Sequence, residues 1–194
     1  MQQNEVIELF QNSGALLHGH FVLSSGLHSS VYLQGAIALQ SPSVAAKFGS
    51  AIADQFRSQR IETVASPAIG GLIIGYEVAR HLNVRFIWTE RENGVMTLRR
   101  GFHVSKGERI LVIEDVITTG GSTRETIDAL TRAGATVIAA ASIIDRSDGR
   151  ADVGVPRSSL ATLSVPSVNQ ADCEACQRGD IATKPGSRTS ATEA

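Results

Sequence analysis

An excess of charge of one sign is missing from this chain: 18 Lys and Arg stand against 19 Asp and Glu, spread along the sequence, for a formal net charge of -1. Nothing therefore suggests bulk affinity for nucleic acid or an anionic membrane, and any anion site must be local. Long apolar runs are missing too, none approaching the roughly 20 residues that span a bilayer. Met1 to Phe10 mixes Asn4, Glu5 and Glu8 with apolar positions and has no basic stretch followed by an apolar one, so no secretory signal is visible and a cytoplasmic protein is expected. Prolines number only five, and 194 residues that are 42% hydrophobic suffice for one sizeable core but not comfortably for two. A single domain over residues 1–194 follows.

Cysteine is scarce as well. Cys173 and Cys176 stand in a Cys-x-x-Cys spacing near the end of the chain. A zinc site needs two further ligands, and no second Cys or His pair lies nearby in sequence, although His18, His20, His28, His81 and His103 could in principle approach. The preferred reading is two structural thiols; the sharper one is a metal shared across an oligomer interface.

What is present is an alternation of periods. Val6, Ile7, Leu9, Phe10 and Leu17 suit an amphipathic helix over Gln3 to Leu17. His20 to Ser24 and Ser30 to Leu39 are short, partly alternating and rich in β-formers, with Gly26 and Gly35 as punctuation, and suggest a small N-terminal subdomain over residues 1–40. Ser41-Pro42 then opens a helix with Ala45, Phe48, Ile52 and Phe56 on one face. Strands are expected at Thr63 to Ala65, Arg85 to Thr89, Arg109 to Glu114 and Thr136 to Asp145, and helices from about Gly71 to Leu82 and Ser122 to Ala133. This alternation predicts an α/β domain with a mostly parallel sheet covered by helices, its core over 41–150. Residues 151–194 form a C-terminal segment whose last ten or so residues, polar and aperiodic, are expected to be mobile.

The densest chemistry lies in Ile110-Leu-Val-Ile-Glu-Asp-Val-Ile-Thr-Thr-Gly-Gly-Ser122. A nearly all-apolar strand, buried on both faces, delivers Glu114 and Asp115 to the carboxyl edge where ligands bind in open parallel sheets. Gly120 and Gly121 let the backbone approach a ligand, and the turn and helix start offer unpaired N–H donors that favour an anion. Thr118, Thr119 and Ser122 add hydroxyls, so a sugar 5-phosphate fits. The carboxylates can accept hydrogen bonds from vicinal ribose hydroxyls, and Asp115 can stabilise positive charge developing on the ribose. A Walker A loop is excluded, since no Gly-Lys-Ser/Thr ends the turn, and the dinucleotide Gly-x-Gly-x-x-Gly is absent. The bland alternative, a strand-to-helix junction in which Asp115 and Thr119 merely cap, leaves the acidic pair and paired glycines unexplained.

This stretch resembles the phosphoribosyl pyrophosphate (PRPP) signature of the type I phosphoribosyltransferases, which implies that Glu114, Asp115, Val116, Ile117, Thr118, Thr119, Gly120, Gly121 and Ser122 bind PRPP. Ala65-Ser-Pro-Ala-Ile-Gly-Gly71 is a second strand-turn-helix junction with paired glycines; in the resemblance Ala68, Ile69, Gly70 and Gly71 cradle the pyrophosphate through backbone donors. Thr89 to Gly101 is polar and carries Arg91, Arg99 and Arg100; read alone it is a solvated connection, but the family has there a mobile loop whose basic residues close over the pyrophosphate of the neighbouring subunit in a homodimer. The resemblance thus places Arg91, Arg99 and Arg100 with Asp115 and Glu114 among the catalytic residues, loop 90–101 acting in trans. Glu92 stands where many family members have lysine; guanidinium groups bind phosphate but do not readily donate protons at neutral pH, which leaves His103 as the loop's candidate acid.

The base is read from other residues. Ile143-Ile-Asp-Arg146 puts a guanidinium at a strand's carboxyl end, suited to a substrate carboxylate; unaided by the resemblance, Arg146 could equally pair with Asp145 or Asp148. Gly19 to Tyr32 resembles the Phe-x-Leu-x-Ser-Gly-x-x-Ser-x-x-Tyr hood of the orotate phosphoribosyltransferases, matched at Phe21, Leu23, Ser25, Gly26, Ser29 and Tyr32, with Ser24 where many members have lysine. In that family Arg146, Thr118 and Ser25 would contact orotate. The resemblance implies a type I phosphoribosyltransferase fold with a small N-terminal hood, and Mg2+-dependent transfer from PRPP to orotate in pyrimidine synthesis. Magnesium would be held mainly by PRPP and water, without a protein metal site, because Mg2+ dehydrates reluctantly. The alternatives are a type I enzyme for another base and a non-catalytic PRPP or nucleotide sensor on the same fold. No nucleic acid or membrane partner is expected.

Overall fold

The computed structural model describes residues 1–23 and 25–185. Ser24, and the expected mobility of the tail from residue 186 on, therefore lie outside the described residues.

A six-stranded sheet forms the centre, in the order β5(Val95–Leu98), β4(Arg85–Glu92), β3(Thr63–Pro67), β6(Arg109–Ile117), β7(Thr136–Asp145), β8(Arg157–Thr162). All neighbours pair in parallel except β4 and β5. Strand β6 shows why its sequence is apolar throughout: Leu111 and Ile113 join one core, with Phe10, Phe48, Ile52 and Ile74, while Ile110 and Val112 join the other, with Ile127 and Leu130. Side chains alternate across a strand, so a strand covered on both faces must be apolar at every position, each full burial contributing about 1.5–3 kcal/mol. The first core is covered by α1(Gln3–Asn12), α3(Pro42–Phe56) and α4(Gly71–Leu82), the second by α5(Gly121–Arg132).

Four expectations are corrected. The first helix stops at Asn12, not Leu17, because Gly14 takes φ 73 and the amides of Gly14 and Ala15 turn back to Gln11 and Phe10. Leu16 and Leu17 instead start β1(Leu16–Val22), which pairs antiparallel with β2(His28–Leu33) as a separate two-stranded hood; Gly35 to Leu39 is a short helix, α2, rather than strand. The polar stretch after β4 is largely a hairpin: β4 runs on to Glu92 and returns as β5 through Asn93 and Gly94, with φ 51 and 83, the two left-handed residues of a tight hairpin turn. Finally, the sheet does not end near residue 150, since β8 adds its edge beyond it.

The C-terminal segment folds back over the hood. Val168 and His28 exchange backbone hydrogen bonds of 2.8 and 2.9 Å, and the Thr183 amide donates to the His20 carbonyl while the Val22 amide donates to that of Thr183, both at 2.8 Å. Between these clamps lie a 3-10 turn, Gln170–Asp172, and the one-turn helix α6(Glu174–Gln177). No helix among the described residues is long and apolar enough to cross a membrane.

Candidate active site

Three adjacent parallel strands, β3, β6 and β7, end side by side, and each runs into one expected site segment: the 68–71 loop, the 118–122 turn and Arg146. Two close approaches tie these segments together. The Arg146 amide donates to the Ile117 carbonyl at 2.8 Å. A Cβ built on Gly70 would lie only 2.8 Å from Asp115 Oδ1, so the 68–71 loop presses directly on the acidic pair. Gly35, just beyond the hood, meets the other oxygen of the same carboxylate and leaves still less room for a side chain. Asp115 thus stands at the meeting point of hood, loop and turn. Gly35 went unassigned in the sequence, where a lone glycine after a strand reads only as punctuation.

Glu114 is buried and Asp115 partly so. Loss of solvation raises both carboxyl pKa values, that of Glu114 well above its ordinary range and further through the neighbouring charge of Asp115. The amide of Val116 donates to Asp115 Oδ1 at 2.8 Å and fixes its orientation. An acidic pair held away from water is poised to gain from hydroxyl donors or positive charge arriving beside it.

The turn that follows exposes Thr118 and Thr119 and buries Gly120, whose φ of 79 suits glycine; a side chain there would also run into Val153. Helix α5 starts at Gly121 with the unpaired amides of any helix N-terminus aimed back over the turn. The 68–71 loop is built alike: Ile69 and Gly70 are exposed ahead of α4, and Gly71 packs so closely on β6 that an added Cβ would lie 2.9 Å from the Ile113 carbonyl and 3.3 Å from Glu114 Oε1.

Arg146 does not pair with Asp145. That carboxylate is taken by Arg157 at 2.8 Å, by the hydroxyl and amide of Ser147 and by the Gly149 amide. Among the described residues the Arg146 guanidinium has no ion-pair partner, and its Nε is buried with no hydrogen bond. Loss of solvation pulls the Arg146 pKa down, opposed by the field of Tyr32. Burial raises the Tyr32 pKa, with Arg146 lowering it and Asp115 raising it, so this hood tyrosine sits within the field of both groups. Tyr32 was legible only as the last residue of the hood motif. Ser25 is exposed at the hood turn, its hydroxyl accepting the Leu27 amide at 3.4 Å.

The arginines of segment 90–101 are not brought to the acidic pair. Arg91 meets Glu125 of α5 at 2.6 Å and the Gly94 carbonyl, Arg99 meets Glu92 at 3.3 Å, and Arg100 holds Glu90 through two hydrogen bonds of 2.8 and 3.1 Å. Every one of these partners lies on the hairpin or on α5. His103 is exposed beyond the hairpin.

An acidic pair at the end of a central strand thus lies between two glycine-containing turns that each open a helix. Residues 37–164 match the phosphoribosyl transferase domain. The orotate phosphoribosyltransferase of Pelotomaculum thermopropionicum is 50% identical over 188 residues, 97% of this chain and 99% of that protein. That of Thermotoga maritima is 49% identical over 181 residues, 93% and 97% of the two chains. The crystal structure of orotate phosphoribosyltransferase from Aeropyrum pernix superposes with a TM-score of 0.70 at 31% identity, covering 81% of this chain and 93% of that one. The chain belongs to the phosphoribosyltransferases and, within them, to the orotate phosphoribosyltransferase family.

Proposed function

We propose that the protein transfers the 5-phosphoribosyl group of PRPP to orotate, releasing pyrophosphate and orotidine 5′-monophosphate, as a cytoplasmic, Mg2+-dependent homodimer. The observation that carries the acceptor is Arg146, whose guanidinium is unpaired and partly buried and whose backbone amide is held beside the ribose turn by the Ile117 carbonyl. Such a group is costly until an anion meets it, and the carboxylate of orotate supplies one.

The roles follow from position. The 5-phosphate lies on the amides of the 118–122 turn with the hydroxyls of Thr118, Thr119 and Ser122. The pyrophosphate lies against residues 68–71 at the start of α4. Ribose hydroxyls donate to Glu114 and Asp115, and Asp115 faces the carbon at which the bond to pyrophosphate breaks as the bond to the base nitrogen forms. Catalysis then rests on positioning and charge stabilisation rather than on a protein nucleophile.

Of the strand-end carboxylates Glu114, Asp115 and Asp145, only Asp115 is not buried, too little for an all-protein magnesium cage but suited to an ion carried by the substrate and its waters. Bound there, Mg2+ would neutralise charge on the departing pyrophosphate. Arg91, Arg99 and Arg100 would exchange their present carboxylates for the pyrophosphate of the neighbouring subunit.

Steady-state assays with PRPP, Mg2+ and orotate, uracil, xanthine or hypoxanthine test this reading. Orotate turnover with matching pyrophosphate release is expected. Turnover of a purine with orotate inert would overturn the acceptor, and PRPP binding without pyrophosphate release would overturn catalysis.

A further inference from the structure

The two cysteines, unexplained by the reaction, meet two histidines of the hood. Cys173 Sγ lies 3.4 Å and Cys176 Sγ 3.5 Å from His20 Nε2; Cys176 Sγ lies 3.3 Å from His28 Nδ1, and the two ring nitrogens are 2.8 Å apart. One ligand atom from each residue falls within 4.8 Å of every other, with His28 and Cys173 buried and His20 and Cys176 partly so. The Val168 and Thr183 clamps set this meeting, and the turn of α6 brings both sulfurs to the hood.

By hydrogen bonds alone the cluster is poorly satisfied. His20 Nδ1 lies 3.1 Å from the Asp180 carbonyl, which can only accept, so a hydrogen bond there requires the Nδ1–H tautomer, whose Nε2 offers one lone pair. That single lone pair is faced by His28 Nδ1 and by both thiols. A cation at the centre, with both sulfurs as thiolates, satisfies all four groups at once. The carbonyl on His20 is also the outer partner that metal-bound imidazoles generally have.

Tetrahedral zinc, with bonds of about 2.3 Å to sulfur and 2.0–2.1 Å to nitrogen, places ligand edges at about 3.6 Å for S···N and 3.3 Å for N···N. Three of the four S···N separations here, 3.3 to 3.5 Å, are within a few tenths of that, and the 2.8 Å N···N gap needs to open by about half an ångström. Two thiolates and two imidazoles favour zinc, and a set of four protein ligands leaves no open position for substrate.

We propose that His20, His28, Cys173 and Cys176 form a structural zinc site that staples the C-terminal segment to the N-terminal hood. Binding converts two thiols to thiolates and releases two protons. All four ligands come from one chain, unlike either sequence reading, the preferred one of two structural thiols or the sharper one of a metal shared across an oligomer interface. A two-stranded hairpin alone is marginal in water, so the staple fixes an element that would otherwise sway; that it thereby steadies the base-binding end rests on the function proposed above.

The full chain, purified without chelators or an affinity tag of histidines, is expected to carry about one zinc per chain by elemental mass spectrometry. After removal of the metal, Co2+ added alone should give the intense visible bands of tetrahedral cobalt with a sulfur-to-cobalt charge-transfer band. Both thiols should react with a disulfide reagent only after chelation, and His28→Asn and the double variant Cys173→Ser/Cys176→Ser should lose the metal. Wild-type chain with less than about a tenth of an equivalent of zinc and only the weak spectrum of octahedral cobalt overturns the proposal. So does a Cys173–Cys176 disulfide in freshly isolated protein, or a folded double variant that keeps its zinc. The wild-type measurements decide the matter even where a variant fails to fold, and none depends on transferase activity.

Discussion

Replacing Arg146 with methionine separates function from stability at one residue. In the structure its guanidinium is partly buried, has no ion-pair partner among the described residues and leaves Nε without a hydrogen bond. A charge-assisted pair with the orotate carboxylate contributes about 1.5–3 kcal/mol. Its loss corresponds to a rise in the orotate KM of about 10- to 150-fold. The PRPP KM should move little, because the phosphate cradles and acidic pair are untouched. Methionine also removes an unsatisfied polar group and a desolvated charge, for a gain of about 1 kcal/mol, or about 2–4 °C in Tm for a chain of this size. Arg146→Met should therefore melt higher when empty and lose the upward shift that orotate gives the wild type. Initial-rate kinetics with each substrate varied in turn, and thermal melts with and without orotate, measure both effects. Equal increases in the two KM values, or a variant that melts lower than wild type, would refute the reasoning.

The acidic pair should show the same opposition. Asp115→Asn is expected to lower kcat by about 100- to 1,000-fold with the fold retained, measured as initial rates and circular dichroism. Because burial raises both carboxyl pKa values, folding favours the protonated forms; that advantage is full below the ordinary carboxylate range and lost as pH rises through the raised values. Glu114→Gln stays neutral throughout, so it should raise Tm at about pH 8 and change it little at about pH 4. Gly70→Ala drives a methyl toward Asp115 Oδ1 and should raise the PRPP KM more than the orotate KM. Asp145→Ala strands Arg157, whose side chain is 13% exposed, and should cost about 3–5 kcal/mol in chemical denaturation. Finally, a 1:1 mixture of inactive Arg91→Ala/Arg99→Ala/Arg100→Ala and Asp115→Asn proteins, unfolded and refolded together, should regain about a quarter of wild-type activity through hybrid dimers with one intact site. No recovery would argue for action within one subunit.

The doubly covered core was legible because its periods are strong. Helix α4 and strand β7 fall on the residues expected, and the strand run ending in Glu114 and Asp115 has to be central because no position in it tolerates water. The misreadings have physical causes. Leu16 and Leu17 continue the apolar face of α1, yet Gly14 breaks the helix before they can join it. The β4–β5 hairpin was hidden by its charges, although Asn93-Gly94 is a hairpin signal in its own right. Arg157 to Thr162 buries fully only Leu160 and Ala161, so an edge strand leaves little periodic trace. The loop arginines were assigned through the family resemblance, which cannot say that Glu90, Glu92 and Glu125 already hold them. The Cys and His cluster was out of reach for another reason: its halves are about 150 residues apart, and only the fold of the C-terminal segment joins them.

The clasp between hood and C-terminal segment has a temporal consequence. Residues 16–33 leave the ribosome well before Val168 and Thr183, whose backbones complete their pairing. During synthesis the hairpin therefore waits as an unfinished edge while the central sheet assembles beside it. The end of the molecule that carries Tyr32 and Ser25 closes only once residues 168–183 are available, so contacts of long sequence separation should make it the slow step of folding.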